Sequence, residues 1–209
     1  MKSTSKFLLL VLGLCVGGLS PSAFAQDAGE QSLSKEKDLP AEHAQGEKMT
    51  VAVIETTMGE IRCQLFPKAA PKAVENFISL AKRGYYEGVV FHRIIPDFMI
   101  QTGDPTGTGY GGKSIWEIPF EDETTLELRF DNSGILAMAN TGQPRSNGSQ
   151  FFITLKATEW LDDRHTIFGE VISGMDVVEA IGAAETGARD KPLVDIRMVK
   201  VNIEEIDVE

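Results

Sequence analysis

The shortness of its apolar segments most constrains what this chain can fold into. From Met49 onward apolar residues come in brief runs separated by turn-forming residues, and the first runs alternate with a period of two. Val51 and Val53, then Ile61, Cys63 and Leu65, flank a Thr57-Met58-Gly59-Glu60 turn. A period of two puts alternate side chains on one face, so this pair predicts a β-hairpin. Further strand candidates are Phe91–Ile95 and Phe98–Gln101 around Pro96, then Ile135–Ala139, Phe151–Leu155, Ile167–Val171 and Val194–Ile206. Two stretches break the pattern. Val74, Phe77, Ile78 and Ala81 recur at helical spacing after Pro71, which predicts a helix over Lys72–Lys82 ended by Gly84. Ser173 is placed to cap a second helix running through Ile181. Many short strands with two helices predict a mainly β domain over residues 49–209, and periodicity alone leaves a barrel and a sandwich both open.

The N-terminal region has a different character. Lys2 and Lys6 precede an apolar run, Phe7–Val16, and Ala23-Phe24-Ala25 follows as an A-x-A site. This is the pattern of a secretory signal peptide over residues 1–25, with cleavage before Gln26. The run is too short for a membrane span, which needs about 20 residues. Gln26–Lys48 is polar, rich in Glu, Lys, Ala, Gln and Ser, and reads as a flexible acidic linker. The expected destination is the periplasm, or secretion. Cleavage removes Cys15 and leaves Cys63 alone, so the mature chain can form no internal disulfide. Cys63 alternates with Ile61 and Leu65 and is expected in the core, with Arg62 on the opposite face.

Charge and spacing exclude several function classes. The net charge is −11, and the first 25 residues carry two lysines and no acid, so the remainder is more acidic still. Nucleic-acid binding needs a basic face and is not expected. Gly107–Ser114 spells G-T-G-Y-G-G-K-S, a literal phosphate-loop match. That motif works between a strand and a helix N-terminus, and Pro119 stands against a following helix. The three histidines, His43, His92 and His165, lack metal-ligand spacing. Ser149 lies in N-G-S-Q, which is not a nucleophile elbow.

Three longer segments carry a positive signal. Phe91–Asp104 reads F-H-R-I-I-P-D-F-M-I-Q-T-G-D, Leu136–Phe152 reads L-A-M-A-N-T-G-Q-P-R-S-N-G-S-Q-F-F, and Thr158–Gly169 reads T-E-W-L-D-D-R-H-T-I-F-G. In this order they resemble the signature segments of cyclophilins, the peptidyl-prolyl cis–trans isomerases, here of a bacterial exported type, and the resemblance spans about Val51–Ile206. It implies a closed antiparallel β-barrel capped by two α-helices, usually monomeric. It also implies an enzyme that accelerates rotation of X–Pro bonds in exported client proteins. The alternative is a proline-peptide binding module or holdase with incidental turnover.

Rotation of an X–Pro bond crosses a barrier of about 20 kcal/mol because amide resonance must be broken. No nucleophile, metal or cofactor is required. The resemblance implies that Arg93 donates a hydrogen bond to the twisted amide and that Gln101 supports Arg93 and the substrate carbonyl. Phe98, Met99, Phe152 and Leu161 would line the proline pocket, and Ala139 and Asn140 would run beside the peptide. His92, Gln150, Trp160 and His165 complete the matched positions. Trp160 also implies binding of cyclosporin A. Departures from the common family pattern, Asp97, Thr102, Thr141 and Gln143-Pro144-Arg145, are expected at the rim of the site.

Overall fold

A computed structural model describes residues 48–207. The expected signal peptide, and all of the expected linker but Lys48, lie outside the described residues. The elements in chain order are β1 (Lys48–Thr56), β2 (Gly59–Leu65), α1 (Pro71–Lys82), β3 (Arg93–Ile95), β4 (Met99–Thr102), β5 (Ile135–Met138), β6 (Phe151–Thr154), β7 (Ile167–Ser173), α2 (Met175–Gly182) and β8 (Met198–Asp207). The predicted hairpin forms from β1 and β2 with Thr56 opposite Gly59. Among the described residues no helix is long and apolar enough to cross a membrane.

The strands make one eight-stranded antiparallel sheet in the order β3-β4-β6-β5-β7-β2-β1-β8. The expected closed barrel is met in part, because the end strands β3 and β8 do not form a ladder with each other. Instead, the irregular chain before β3 meets the start of β8 and the residues just ahead of it. The Gly88 N–H donates to Met198 O at 2.8 Å, the Met198 N–H to Val89 O at 2.9 Å, and the Phe91 N–H to Ile196 O at 2.9 Å. Phe91 and Val194 were expected inside strands. Neither lies in a strand: Phe91 is next to the single bridge Val90–Arg197, and Val194 falls in a bend before it.

Alternation along the strands separates two apolar clusters. Ile94, Ile100, Leu136, Met138, Phe151 and Ile153 face the main core. Met99, Ile135, Ala137 and Phe152, their sequence neighbours, pack on the opposite side with Phe130 and Ile167. The main core is centred on Phe77 of α1, whose ring lies 5.3 Å from those of Tyr86 and Phe151 and 5.4 Å from Phe168. Cys63 is fully buried there as expected, and burial pushes its thiol pKa up to about 12, which leaves it unreactive. Arg62 takes the other face and pairs with Glu204 at 2.6 Å.

Each helix buries one stripe in the main core: Val74, Phe77 and Leu80 from α1, Val178 and Ile181 from α2. Pro71 occupies the first turn of α1, as predicted. Its N-terminal amides are satisfied from far along the chain, because the Glu123 carboxylate accepts from Lys72 N–H at 3.1 Å and Ala73 N–H at 2.9 Å. The expected Ser173 cap is not formed. Ser173 ends β7, and Gly174 takes the N-cap position with φ of 85° and no side-chain bond. That backbone suits glycine, and a Cβ there would strike Glu60 O.

Candidate active site

The site lies on the sheet face turned away from the main core. Register builds it: Arg93 pairs with Gln101, Gln101 with Phe152, and Phe152 with Ala137 in a row across β3, β4, β6 and β5. Met99 stands two residues from Gln101 on β4 and shares its face. The short helical turn Glu159–Leu161 supplies Leu161. The result is a cavity of about 280 Å³ lined by Arg93, Phe98, Met99, Gln101, Ala139, Asn140, Phe152, Leu161 and His165. Its floor is rigid. Met99 and Phe152 are buried, Phe152 stacks on Phe130 at 6.1 Å, and the His165 ring meets Phe152 edge-on at 5.4 Å. His165 Nδ1 is tied to Met138 O at 3.0 Å.

Nine of the twelve matched residues thus share one cavity, and the other three do not line it. Gln150 lines an adjoining hollow of about 230 Å³ with Gly109–Gly112, Thr141 and Ser146, which also borders Gln101, Ala139 and Asn140. His92 borders a groove of about 760 Å³ that Arg93 and Gln101 border as well. Trp160 is exposed and packs its ring 5.7 Å from Phe98 at the outer edge.

Polar contacts revise the expected division of labour. Gln101 Nε2 donates to Gln150 Oε1 at 2.9 Å, and Arg93 does not donate to Gln101 Oε1. Among the described residues the polar contact of Arg93 is Nε to Asp190 Oδ2 at 3.4 Å. Asn140 Nδ2 donates to Asp122 Oδ1 at 2.9 Å and to Arg164 O at 2.8 Å, so its amide braces the loop. His92 is buried, and neither ring nitrogen has a partner in good hydrogen-bond geometry. Burial lowers its pKa, and Asp104 and the neighbouring Gln150 side chain oppose that.

The glycine-rich loop has a hub that sequence reading left without a role. The carboxylate of Asp104, buried at the end of β4, accepts backbone N–H bonds from Thr106 at 2.8 Å, Thr108 at 3.1 Å, Gly109 at 2.7 Å and Gly111 at 3.1 Å. A Cβ at Gly111 would collide with Asp104 Oδ1, so that glycine permits the close approach. These amides already cradle an anion, and no helix follows Ser114, so the phosphate-loop spelling lacks both parts of its mechanism. Gln150 completes the loop, donating from Nε2 to Gly109 O at 3.1 Å and Gly111 O at 2.7 Å. The sequence signal for Asp104 was a lone acid ahead of a glycine-rich run.

Burial by itself would raise the Asp104 carboxyl, but bonds from Thr106, Gly111 and Gly109 outweigh it and hold its pKa at about 2. A depressed pKa means that the stabilisation is complete above the ordinary value of 3.8 and lost as pH falls through about 2. Asp104→Asn is therefore expected to cost about 2 kcal/mol at neutral pH. In urea titrations the gap between variant and wild type should close between pH 4 and 2; a gap that stays constant with pH would rule out the charged carboxylate as the cause.

Two departures from the family pattern find physical reasons. Asp97 has φ of 59°, so the Asp stands where a glycine would be unstrained. Thr102 is not at the rim: it is fully buried and donates from Oγ1 to Val90 O at 2.9 Å. Thr141 and Gln143-Pro144-Arg145 are exposed, with Thr141 on the hollow that Gln150 lines.

Comparison with known proteins matches this geometry. The family model for cyclophilin type peptidyl-prolyl cis-trans isomerase/CLD covers residues 51–203. Human peptidyl-prolyl cis-trans isomerase-like 1 is 56% identical over 147 residues, which is 70% of this chain and 88% of the human one. The Aspergillus oryzae protein of the same name is 50% identical over 156 residues, 75% of this chain and 96% of that protein. The isomerase cyp15 of Rhizopus delemar is 54% identical over 154 residues, but the match spans only 24% of that longer protein. A Cryptosporidium parvum cyclophilin type isomerase superposes with a TM-score of 0.73 at 39% identity, covering 75% of this chain and 98% of that one. It has also been solved in the presence of the dipeptide Ala-Pro. These relatives are eukaryotic, so the exported bacterial subtype rests on the N-terminal sequence alone. With most of the described domain matched in sequence and in fold, the chain belongs to the cyclophilin-type family and is a peptidyl-prolyl cis–trans isomerase.

Proposed function

We propose that the 280 Å³ cavity seats the substrate proline and that Arg93 donates to the amide nitrogen as the X–Pro bond twists. The observation that carries this is that Arg93 lines the same cavity as the buried apolar side chains of Met99 and Phe152. Breaking amide resonance returns a lone pair to nitrogen, which then accepts a hydrogen bond that the planar ground state cannot. A donor aimed at that nitrogen stabilises the transition state more than the substrate, which is what lowers a barrier. The guanidinium is permanently charged and planar, so it is a donor at any physiological pH. An acceleration of about 10⁵-fold corresponds to roughly 7 kcal/mol. One charge-assisted bond and the positioning of the ring are of the right size to supply most of that.

In this reading Phe98, Met99, Phe152 and Leu161 hold the ring. The backbone of Ala139 and Asn140 meets the peptide, because the Asn140 amide is held within the protein. Gln101 and Gln150 act as a hydrogen-bonded pair bordering the peptide path. Two-dimensional exchange NMR on a short Ala–Pro peptide tests the reading. Cis–trans cross-peaks should grow with catalytic enzyme; an unchanged exchange rate with folded protein would refute it.

The clients in this reading are proline-containing polypeptides exported to the periplasm, and the enzyme assists their folding as a monomer. Support comes from the residue 1–25 pattern. The mature N-terminus is expected at Gln26 in a periplasmic extract, and recovery of the uncleaved chain in the cytosol would count against export. Cyclosporin A should also bind, with Trp160 offering an exposed ring beside Phe98. Micromolar cyclosporin A is expected to abolish most of the turnover, and full activity at that concentration would remove Trp160 from the ligand surface.

A further inference from the structure

The groove of about 760 Å³ beside the proline cavity has no part in the chemistry above. It runs between the glycine-rich loop, at Gly107–Tyr110, and the turn Ala188–Lys191, and it shares Arg93 and Gln101 with the proline cavity. The hollow lined by Gln150 adjoins the same cavity on Gln101, Ala139 and Asn140. Gln101 borders all three spaces, so a chain seated at the proline cavity has the groove within reach of the residues flanking its proline.

The groove's charge differs from that of the protein as a whole. The chain carries −11, yet the ionised side chains bordering the groove are Arg93, Arg189 and Lys191 against Asp190 alone. Asp190 is engaged by Arg93 at 3.4 Å. Arg189 and Lys191 make no ion pair among the described residues, and both are exposed. Arg189 and Asp190 hold consecutive left-handed backbones, φ 62° and 58°, which is costly for non-glycine residues and fixes the turn's shape. Tyr110 stands 86% exposed at the lip. Two unpaired cations and a phenol together suit a carboxylate.

We infer that this groove is a specificity subsite for an acidic side chain on one flank of the substrate proline. The inference rests on the isomerase reading of the adjoining cavity. The cations are solvent-exposed, so the preference is modest and salt-sensitive. It decides which X–Pro bonds in an unfolded client are turned over first, through association more than through the bond rotation itself.

The test compares kcat/KM for five peptides: one with alanine around Ala–Pro, and four with Glu or Lys placed two residues before or two residues after the proline. On one flank only, wild type is expected to favour Glu over Lys by about 3- to 10-fold at low ionic strength, with the ratio falling towards one in 0.5 M salt. In the double variant Arg189→Glu/Lys191→Glu the ratio on that flank should invert. Using the ratio within each enzyme removes any general effect of the substitutions. Equal rates for Glu and Lys peptides on both flanks, or an unchanged ratio in the double variant, would overturn the subsite while leaving the isomerase reading intact. No turnover of the alanine peptide by wild type would overturn that reading and the subsite with it.

Discussion

Replacing Arg93 with alanine is expected to lower kcat/KM for X–Pro isomerisation by about 10²–10³-fold. The loss corresponds to removing one preorganised donor from the place where the amide nitrogen becomes basic. It should appear in kcat more than in KM, because the planar substrate makes little use of that donor. The fold should be nearly indifferent: Arg93 is half-exposed and its polar contact is one exposed pair with Asp190 at 3.4 Å, worth about 1 kcal/mol at most. Arg93→Lys should recover little, since an ammonium does not reproduce the planar guanidinium fork. Rates measured by NMR exchange, with unfolding midpoints alongside, separate these effects. Activity within threefold of wild type in folded Arg93→Ala would remove Arg93 from the mechanism. A client-protecting function that survives the loss of turnover would instead identify binding as the physiological activity, which is the holdase alternative.

The largest effect on stability is expected from Phe77→Ala. Phe77 is 1% exposed and its ring contacts those of Tyr86, Phe151 and Phe168, so it joins α1 to β6, β7 and the chain leading into β3. Truncation removes most of a ring from a close-packed cluster whose other members are held by strand registers and cannot close the space. The expected cost is about 3–5 kcal/mol. For a domain of this size that lowers Tm by roughly 10 °C or more. Urea unfolding should show a lower midpoint with an unchanged slope. Phe77→Leu should recover part of the loss by refilling volume. A cost below about 1 kcal/mol for Phe77→Ala would mean that the helix can settle into the gap, and that α1 is less firmly seated than its ring contacts suggest.

Both predictions draw on features of unequal legibility. Phe77 announces itself through helical spacing with Val74 and Ala81 after Pro71, because helix periodicity is a local property. Arg93 stands out within a long motif, and the β3–β4 pairing that sets it opposite Gln101 spans only eight residues. What holds Arg93 could not be read the same way. Asp190 lies 97 residues further along, in a turn whose left-handed backbone no local pattern signals. The same is true of Glu123, which satisfies the first turn of α1 from about 50 residues away. Asn76 is another case: it looks like a polar residue within an apolar helical run, yet it is fully buried, donating to Gly148 O and accepting from Ile115 N–H.

The misplacements have equally physical origins. Ser173 is a good capping residue by type, but β7 continues through it, and the tight approach of the chain to Glu60 requires a glycine at the cap. Thr102 was expected at the rim because it departs from the common family pattern; its hydroxyl is instead satisfied internally by Val90 O, so it can be buried. His92 and Gln150 belong to the same motifs as the cavity residues but border neighbouring spaces, and Trp160 stands exposed at the outer edge. A motif records adjacency in the chain, whereas strand alternation and loop direction decide which space a side chain enters.

By itself, then, the sequence determined the local elements of this protein. Those are the hairpin from period-two alternation, the helical stripe after Pro71, the strand-length apolar runs, and the residue types available for amide rotation in three motifs. These follow from backbone geometry acting over a few residues. Tertiary structure alone decided the rest: the strand order β3-β4-β6-β5-β7-β2-β1-β8, the contact between its ends through single bridges, the Asp104 hub of the glycine-rich loop, and the division of the matched residues among three adjoining spaces. Those depend on hydrogen bonds and packing between residues tens of positions apart. Many pairings are compatible with the same local pattern, and only the requirement that every buried group find a partner at once selects among them.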